Sequence, residues 1–155
     1  MNTHADKPGV IVWPPLLFGV GVSAFLLLGW LWPWPASSHP SSVWVGMALL
    51  FLGAALNVWG VLTLRKAGTN INPSLPAIAL VTSGPYRFTR NPLYLAGSLL
   101  LLGLSLVLNN LWGVLAIIPL LIILHFGVIL REERYLEAKF GESYRRYGST
   151  VRRYF

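Results

Sequence analysis

Apolar residues fall into four blocks along this chain, at about residues 14–32, 43–64, 92–108 and 111–130, with nearly all charge between and after them. As helices rising about 1.5 Å per residue, these blocks match the ~30 Å hydrocarbon core of a bilayer. The third, about 25 Å long on that rise, is slightly short. Pro14-Pro15 opens the first block, and Trp13, Trp30, Trp32 and Trp34 sit at its ends like an interfacial belt. Those tryptophans and the length of the run favour a retained anchor over a cleaved signal peptide, although Lys7 precedes it and Ala36-Ser37-Ser38 follows. In the second block Gly46, Gly53 and Gly60 recur on one helical face, a seam for close approach by another helix. Asn57 shares that face and is expected to find a partner inside the bundle. Only Asn109-Asn110 separates the third block from the fourth, so the two form an antiparallel hairpin, and Pro119 is expected to kink its second arm. In the tail, Leu136, Phe140, Tyr144 and Tyr147 space an apolar stripe for a helix lying at the surface, which Gly141 divides. The expected fold is all-α: one membrane domain over residues 1–155, four transmembrane helices with a helix-three/helix-four hairpin, and a C-terminal amphipathic cytosolic helix in 131–155.

Composition narrows the class. The chain is 55% hydrophobic and 11% charged, with mean hydropathy +0.61, which excludes an ordinary soluble domain. It has no cysteine, so disulfides, thiol catalysis and thiolate metal sites are excluded. The net charge of +7 comes from cations that flank apolar blocks, so the expected partner is the lipid bilayer and not nucleic acid. Lys7, then Arg65, Lys66, Arg87 and Arg90, and the tail cations make up all the Lys and Arg; residues 33–42 and 109–110 carry none. By the positive-inside rule, both termini and the 65–91 connection face the cytosol of an inner-membrane protein.

Candidate chemistry collects on that side. Residues 83–97, SGPYRFTRNPLYLAG, concentrate turn formers, rings and cations where a loop becomes a helix. Asn91 stands at the N-cap and Pro92 at the first helical position. Tyr86, Arg87, Arg90 and Tyr94 then surround a helix N-terminus, a seat for a carboxylate or phosphate. The hairpin brings Arg131-Glu132-Glu133-Arg134 alongside. Such an arrangement fits a zwitterionic ligand, its carboxylate near Arg90 and its cation near Glu133. It equally fits an internal network in which Glu132 and Glu133 pair with Arg87, Arg90 or Arg134. His125, inside the fourth block, is either structural or a substrate-side contact. Without a second ligand at helical spacing it predicts no metal site. All five acidic residues lie outside the apolar blocks, which argues against a proton-coupled transporter.

The pattern GPYRFTRNPLYLAG, a helical hairpin, then EERYLEAKFGESYRRYGSTV resembles the integral membrane methyltransferases of the isoprenylcysteine carboxyl methyltransferase and phospholipid methyltransferase superfamily. The resemblance runs from roughly Ala67 onward. It implies S-adenosylmethionine as cofactor, itself a zwitterion. It implies cofactor binding by Arg90-Asn91-Pro92, followed by Tyr94 and Gly97, and by Glu132 and Glu133, and Tyr86 of the same helix-start cluster is expected beside them; the family's Phe-Gly-x-x-Tyr element falls on Phe140, Gly141 and Tyr144. Asn91 replaces a histidine often found in the family, which removes a titrating group there. The implied function is methyl transfer to a lipophilic acceptor at the cytosolic membrane face. A carboxylate acceptor needs no base; for an amine or thiol, Glu133 or His125 would take the proton. The alternative is a non-catalytic scaffold or accessory subunit of the same architecture.

Overall fold

The computed structural model describes residues 7–154, and among these there are helices and no strand. The elements are α1 (Pro14–Leu31), α2 (Ser41–Lys66), a 3-10 turn (Gly84–Arg87), α3 (Pro92–Val107), α4 (Leu111–Leu124), a π-helical turn (His125–Ile129), α5 (Leu130–Phe140) and α6 (Glu142–Thr150). Pro14–Leu31, Ser41–Lys66 and the continuous Leu111–Phe140 are long and apolar enough to cross a membrane; α3 is apolar but shorter, at 16 residues. The chain is a helical membrane protein.

The glycine seam of α2 explains how its two longest internal neighbours meet. Gly46, Gly53 and Gly60 are buried against α3. A Cβ on Gly46 would sit 2.8 Å from the carbonyl oxygen of Gly103, and one on Gly103 would sit 2.8 Å from that of Gly46. The two backbones are therefore in contact, as small residues permit in lipid. On the other side of α3, Phe25, Leu101, Leu120, Leu124, Val128 and Ile129 make the buried core between α1, α3 and α4. α2 thus packs mainly on α3, and α1 mainly on α4 with a smaller contact to α3. Trp44, Phe51 and Val58 on α2 point outward, as expected where the surroundings are lipid.

The hairpin turn is fixed by its two asparagines. Asn109 adopts φ +49°, which this residue type tolerates. The Asn110 side chain caps α4 by accepting from Trp112 N–H at 3.0 Å and donates to Phe25 O at 3.0 Å, tying the turn to α1. α4 keeps its α assignment through the exposed Pro119, and the departure from α geometry comes at the π turn, where Gly127 O accepts from Ile11 N–H. The helix then continues past residue 130 to Phe140, so the fourth apolar block and the start of the tail are one rod.

The tail stripe faces inward. Gly141, at φ +54°, breaks the rod and lets α6 fold back. Tyr144 and Tyr147 are buried, and the Tyr147 hydroxyl donates to Tyr86 O at 2.6 Å. The 67–91 connection is held by its own polar groups and by α5: Thr69 Oγ1 accepts from Ile78 and Ala79 N–H, Asn70 donates to Pro76 O, and Tyr135 Oη of α5 accepts from Ala77 N–H.

Candidate active site

Pro92 starts α3 and the turn residues before it aim Thr89, Arg90 and Asn91 at the last four described residues of the chain. Asn91 occupies the N-cap position, but its side chain does not cap; it donates to Arg153 O at 3.1 Å. Thr89 Oγ1 donates to the same carbonyl at 3.1 Å, and Arg90 N–H donates to Arg152 O at 3.0 Å. The segment after α6 is thereby strapped across the start of α3.

The strap delivers a second cation to Glu133. Its Oε2 accepts from Arg153 Nη2 at 2.7 Å, its Oε1 from Arg153 Nε at 3.0 Å, and Oε1 also lies 3.2 Å from Arg90 Nη1. Arg90 and Glu133 side chains are only 16% and 12% exposed, so this is a shielded cluster where pairing counts for more than at an open surface. Glu133 is thus not left free to meet a ligand's cation. Glu132 is differently placed: it accepts from the Tyr94 hydroxyl at 2.7 Å and has no cationic partner among the described residues.

A cavity of about 600 Å³ joins these groups. Its polar end carries Tyr86, Arg90, Asn91, Tyr94, Glu132 and Glu133, with Pro92 and Gly97 also on its wall. The 67–91 connection adds Thr69, Asn70 and Asn72. Its apolar end runs along α3 as far as Leu104, between Phe18 and Val22 of α1 and Val61 of α2. Burial, with the Glu132 charge adding to it, pushes the Tyr86 phenol well above its ordinary value. Burial, then the charge on Glu133, lifts Tyr144 to about 12 against the opposing influence of Arg90. Hydrogen bonding to Glu133 raises the Arg153 guanidinium further, so its charge is permanent.

Every residue expected at the cofactor site lines this cavity. His125 does not: its Nδ1 hydrogen-bonds the Tyr154 hydroxyl and its ring stacks edge-on against Phe126. Neither Arg87, whose guanidinium lies over the Phe88 ring, nor Arg134, which donates to Leu130 O, pairs with the two glutamates. Two participants were not foreseen. Arg153 follows the end of α6, so no helical register points to it. Asn57 faces the cavity and has no hydrogen-bond partner among the described residues, contrary to the expected bundle contact.

A family model described as phospholipid methyltransferase matches residues 41–143, from the start of α2 to the first turn of α6. The chain belongs to the phospholipid methyltransferase family. The match takes in α3, the hairpin and both glutamates, the elements that form the polar end of the cavity, but stops short of Arg153. An uncharacterized protein of Haemophilus influenzae is 44% identical over 62 residues, which is 40% of this chain and 98% of that protein. No solved structure matches. As a member of a methyltransferase family with apolar spanning helices, the protein is a membrane methyltransferase by kinship.

Proposed function

We propose that this protein transfers a methyl group from S-adenosylmethionine to a lipophilic acceptor at the cytosolic face of the inner membrane, as one four-span domain with both termini cytosolic. The observation that carries the reading is the cavity itself, about 600 Å³, within the range of small-molecule sites. At its polar end are a buried Arg90 Nε with no hydrogen-bond partner among the described residues and a Glu132 carboxylate with no cation. Those two groups fit a ligand with a carboxylate at one pole and a positive charge at the other.

The cofactor supplies an electrophilic methyl carried on a sulfonium. The chain's residues hold and shield. Arg90 offers donors to a carboxylate, and Glu132, oriented by Tyr94, faces the opposite charge. Glu133 serves as counter-ion and anchor for the two arginines, a reassignment from proton acceptor. Where the acceptor is an amine or thiol, Glu132 is the carboxylate placed to take its proton. His125 stays outside the reaction. The slot between α1 and α2 takes the acceptor's apolar part from the bilayer, and exclusion of water by the 67–91 connection favours transfer over hydrolysis.

Isothermal titration calorimetry of the purified protein with S-adenosylhomocysteine is the test. Micromolar-range binding is expected, and Arg90→Ala and Glu132→Gln each weaken it by about tenfold or more, in keeping with roughly 1.5–3 kcal/mol for a hydrogen bond to a charged group. Incubation of membranes with methyl-labelled cofactor then identifies the labelled lipid by mass spectrometry. A folded protein that binds nothing would leave the scaffold reading in its place.

A further inference from the structure

Arg90 and Glu133, on the wall of the cavity's polar end, meet Arg153 from behind that wall, and their pairing is uneven. Arg90 and Arg153 both converge on Glu133, leaving the cluster with one positive charge in excess. The sharing is also unequal. Arg153 grips the carboxylate through two nitrogens, Nε and Nη2, at 2.7–3.1 Å, whereas Arg90 reaches it through Nη1 alone at 3.2 Å. A forked contact is the stronger kind, so Glu133 belongs first to Arg153. A guanidinium has five N–H donors, and Arg90 gives one to Glu133; its Nε is buried without a partner among the described residues, and Tyr144 and Tyr147 both lie within its field.

We propose that Arg153 is a positioning residue for the ligand's carboxylate: by holding Glu133, it keeps Arg90 from closing into a neutral pair and leaves that guanidinium free to bind the anion. Without Arg153, Glu133 would turn its vacant lone pairs to Arg90, and that guanidinium would be closed into a neutral pair. The strap does not depend on the Arg153 side chain for its position. Main-chain carbonyls of Arg152 and Arg153 take the bonds from Arg90, Thr89 and Asn91, so a side-chain substitution leaves the backbone anchored. Arg153 is moreover the most exposed member of the trio, at 34% against 16% for Arg90 and 12% for Glu133, as befits a group that acts from behind and does not touch the ligand.

This inference rests on the S-adenosylmethionine reading, and the test separates the two. Calorimetry on the full chain compares S-adenosylhomocysteine with 5′-methylthioadenosine, which lacks the amino-acid carboxylate. For Arg153→Gln, binding of the first is expected to fall by about tenfold or more while the second stays within about twofold. Arg153→Lys should recover part of the loss. In the double variant Glu133→Gln/Arg153→Gln the carboxylate that would capture Arg90 is gone, so S-adenosylhomocysteine binding should return towards wild type. Melting temperatures taken alongside show that each variant is folded. Unchanged S-adenosylhomocysteine affinity in Arg153→Gln would overturn the positioning role and leave the cofactor reading intact. Equal loss of both ligands, or no rescue by the double variant, would reduce Arg153 to a structural clamp. A wild-type protein that binds neither ligand would remove the cofactor reading itself, and this role with it.

Discussion

At Tyr144 burial, and then the charge of Glu133, lift the phenol to about 12 from an ordinary value of 10.0 against the opposing charge of Arg90. A raised value in the folded state means that the folded protein holds this proton more tightly than the unfolded chain does. The resulting stabilisation is complete below pH 10 and is lost as pH climbs towards 12. Melting temperature should therefore hold level up to about pH 10 and then drop, by an amount on the order of several degrees for a shift of this size. Tyr144→Phe should show a shallower alkaline fall; an identical slope in that variant would place the titration elsewhere. The sequence disclosed the membership of this site better than its pairing. Tyr86, Arg90, Tyr94, Glu132 and Glu133 were all legible from the turn before α3 and from the hairpin, because sequence-adjacent signals set those positions. Which glutamate answers which arginine was not legible, since the partner that decides it, Arg153, arrives by a fold-back at Gly141 that carries no periodicity. Spacing likewise places Asn57 on the glycine face of α2 that meets α3, but whether that one position touches a helix or borders the cavity is decided by tertiary packing that no periodicity encodes.

The element that sets the shape of the cavity is the α2–α3 pair. Its seam leaves no room for a side chain at Gly103, where an added Cβ would lie 2.8 Å from both Gly46 O and Leu50 N, main-chain atoms that cannot swing away. Gly103→Val should cost about 1–3 kcal/mol through overpacking and lower the melting temperature accordingly. Gly19→Ala on α1, where nothing lies within 4 Å of the added atom, is the control and should leave it unchanged. Equal stability of the two variants would mean that the helices are not held this close. The seven-residue recurrence of glycine announced this seam, and Asn109-Asn110 announced the hairpin, because both rest on short-range rules. The inward turn of the Tyr144 and Tyr147 stripe did not announce itself. An apolar stripe is equally suited to lipid and to a neighbouring protein surface, and the choice was made by the backbone at Gly141.

Over the whole molecule, charge and cavity agree on a direction. Arg65, Lys66, Arg87 and Arg90 share an end with the polar part of the cavity, while the 33–42 connection and the Asn109-Asn110 turn form an uncharged end joined by the bonds Ser37 N–H to Asn109 Oδ1 and Leu111 N–H to Trp34 O. Single cysteines placed at Ser38 and Asn110 of this cysteine-free chain should react with an impermeant maleimide only from the non-cytoplasmic side; labelling of either from the cytosol would invert the proposed orientation. Four apolar blocks were legible in the hydropathy, three of them helices long enough to cross a membrane, yet the depth of the slot between α1 and α2 was not, because its wall is assembled from α1, α2, α3 and the 67–91 connection by tertiary packing. The π turn at His125–Ile129 has one last implication for how this protein tolerates change. A widened turn holds about one residue more than an α-helical turn, and each residue advances a helix by about 100°. Shorten that stretch by a single codon and the rod would rewind beyond it, swinging both glutamates around its axis like a key turned off its ward, while α1 to α4 stayed where they were.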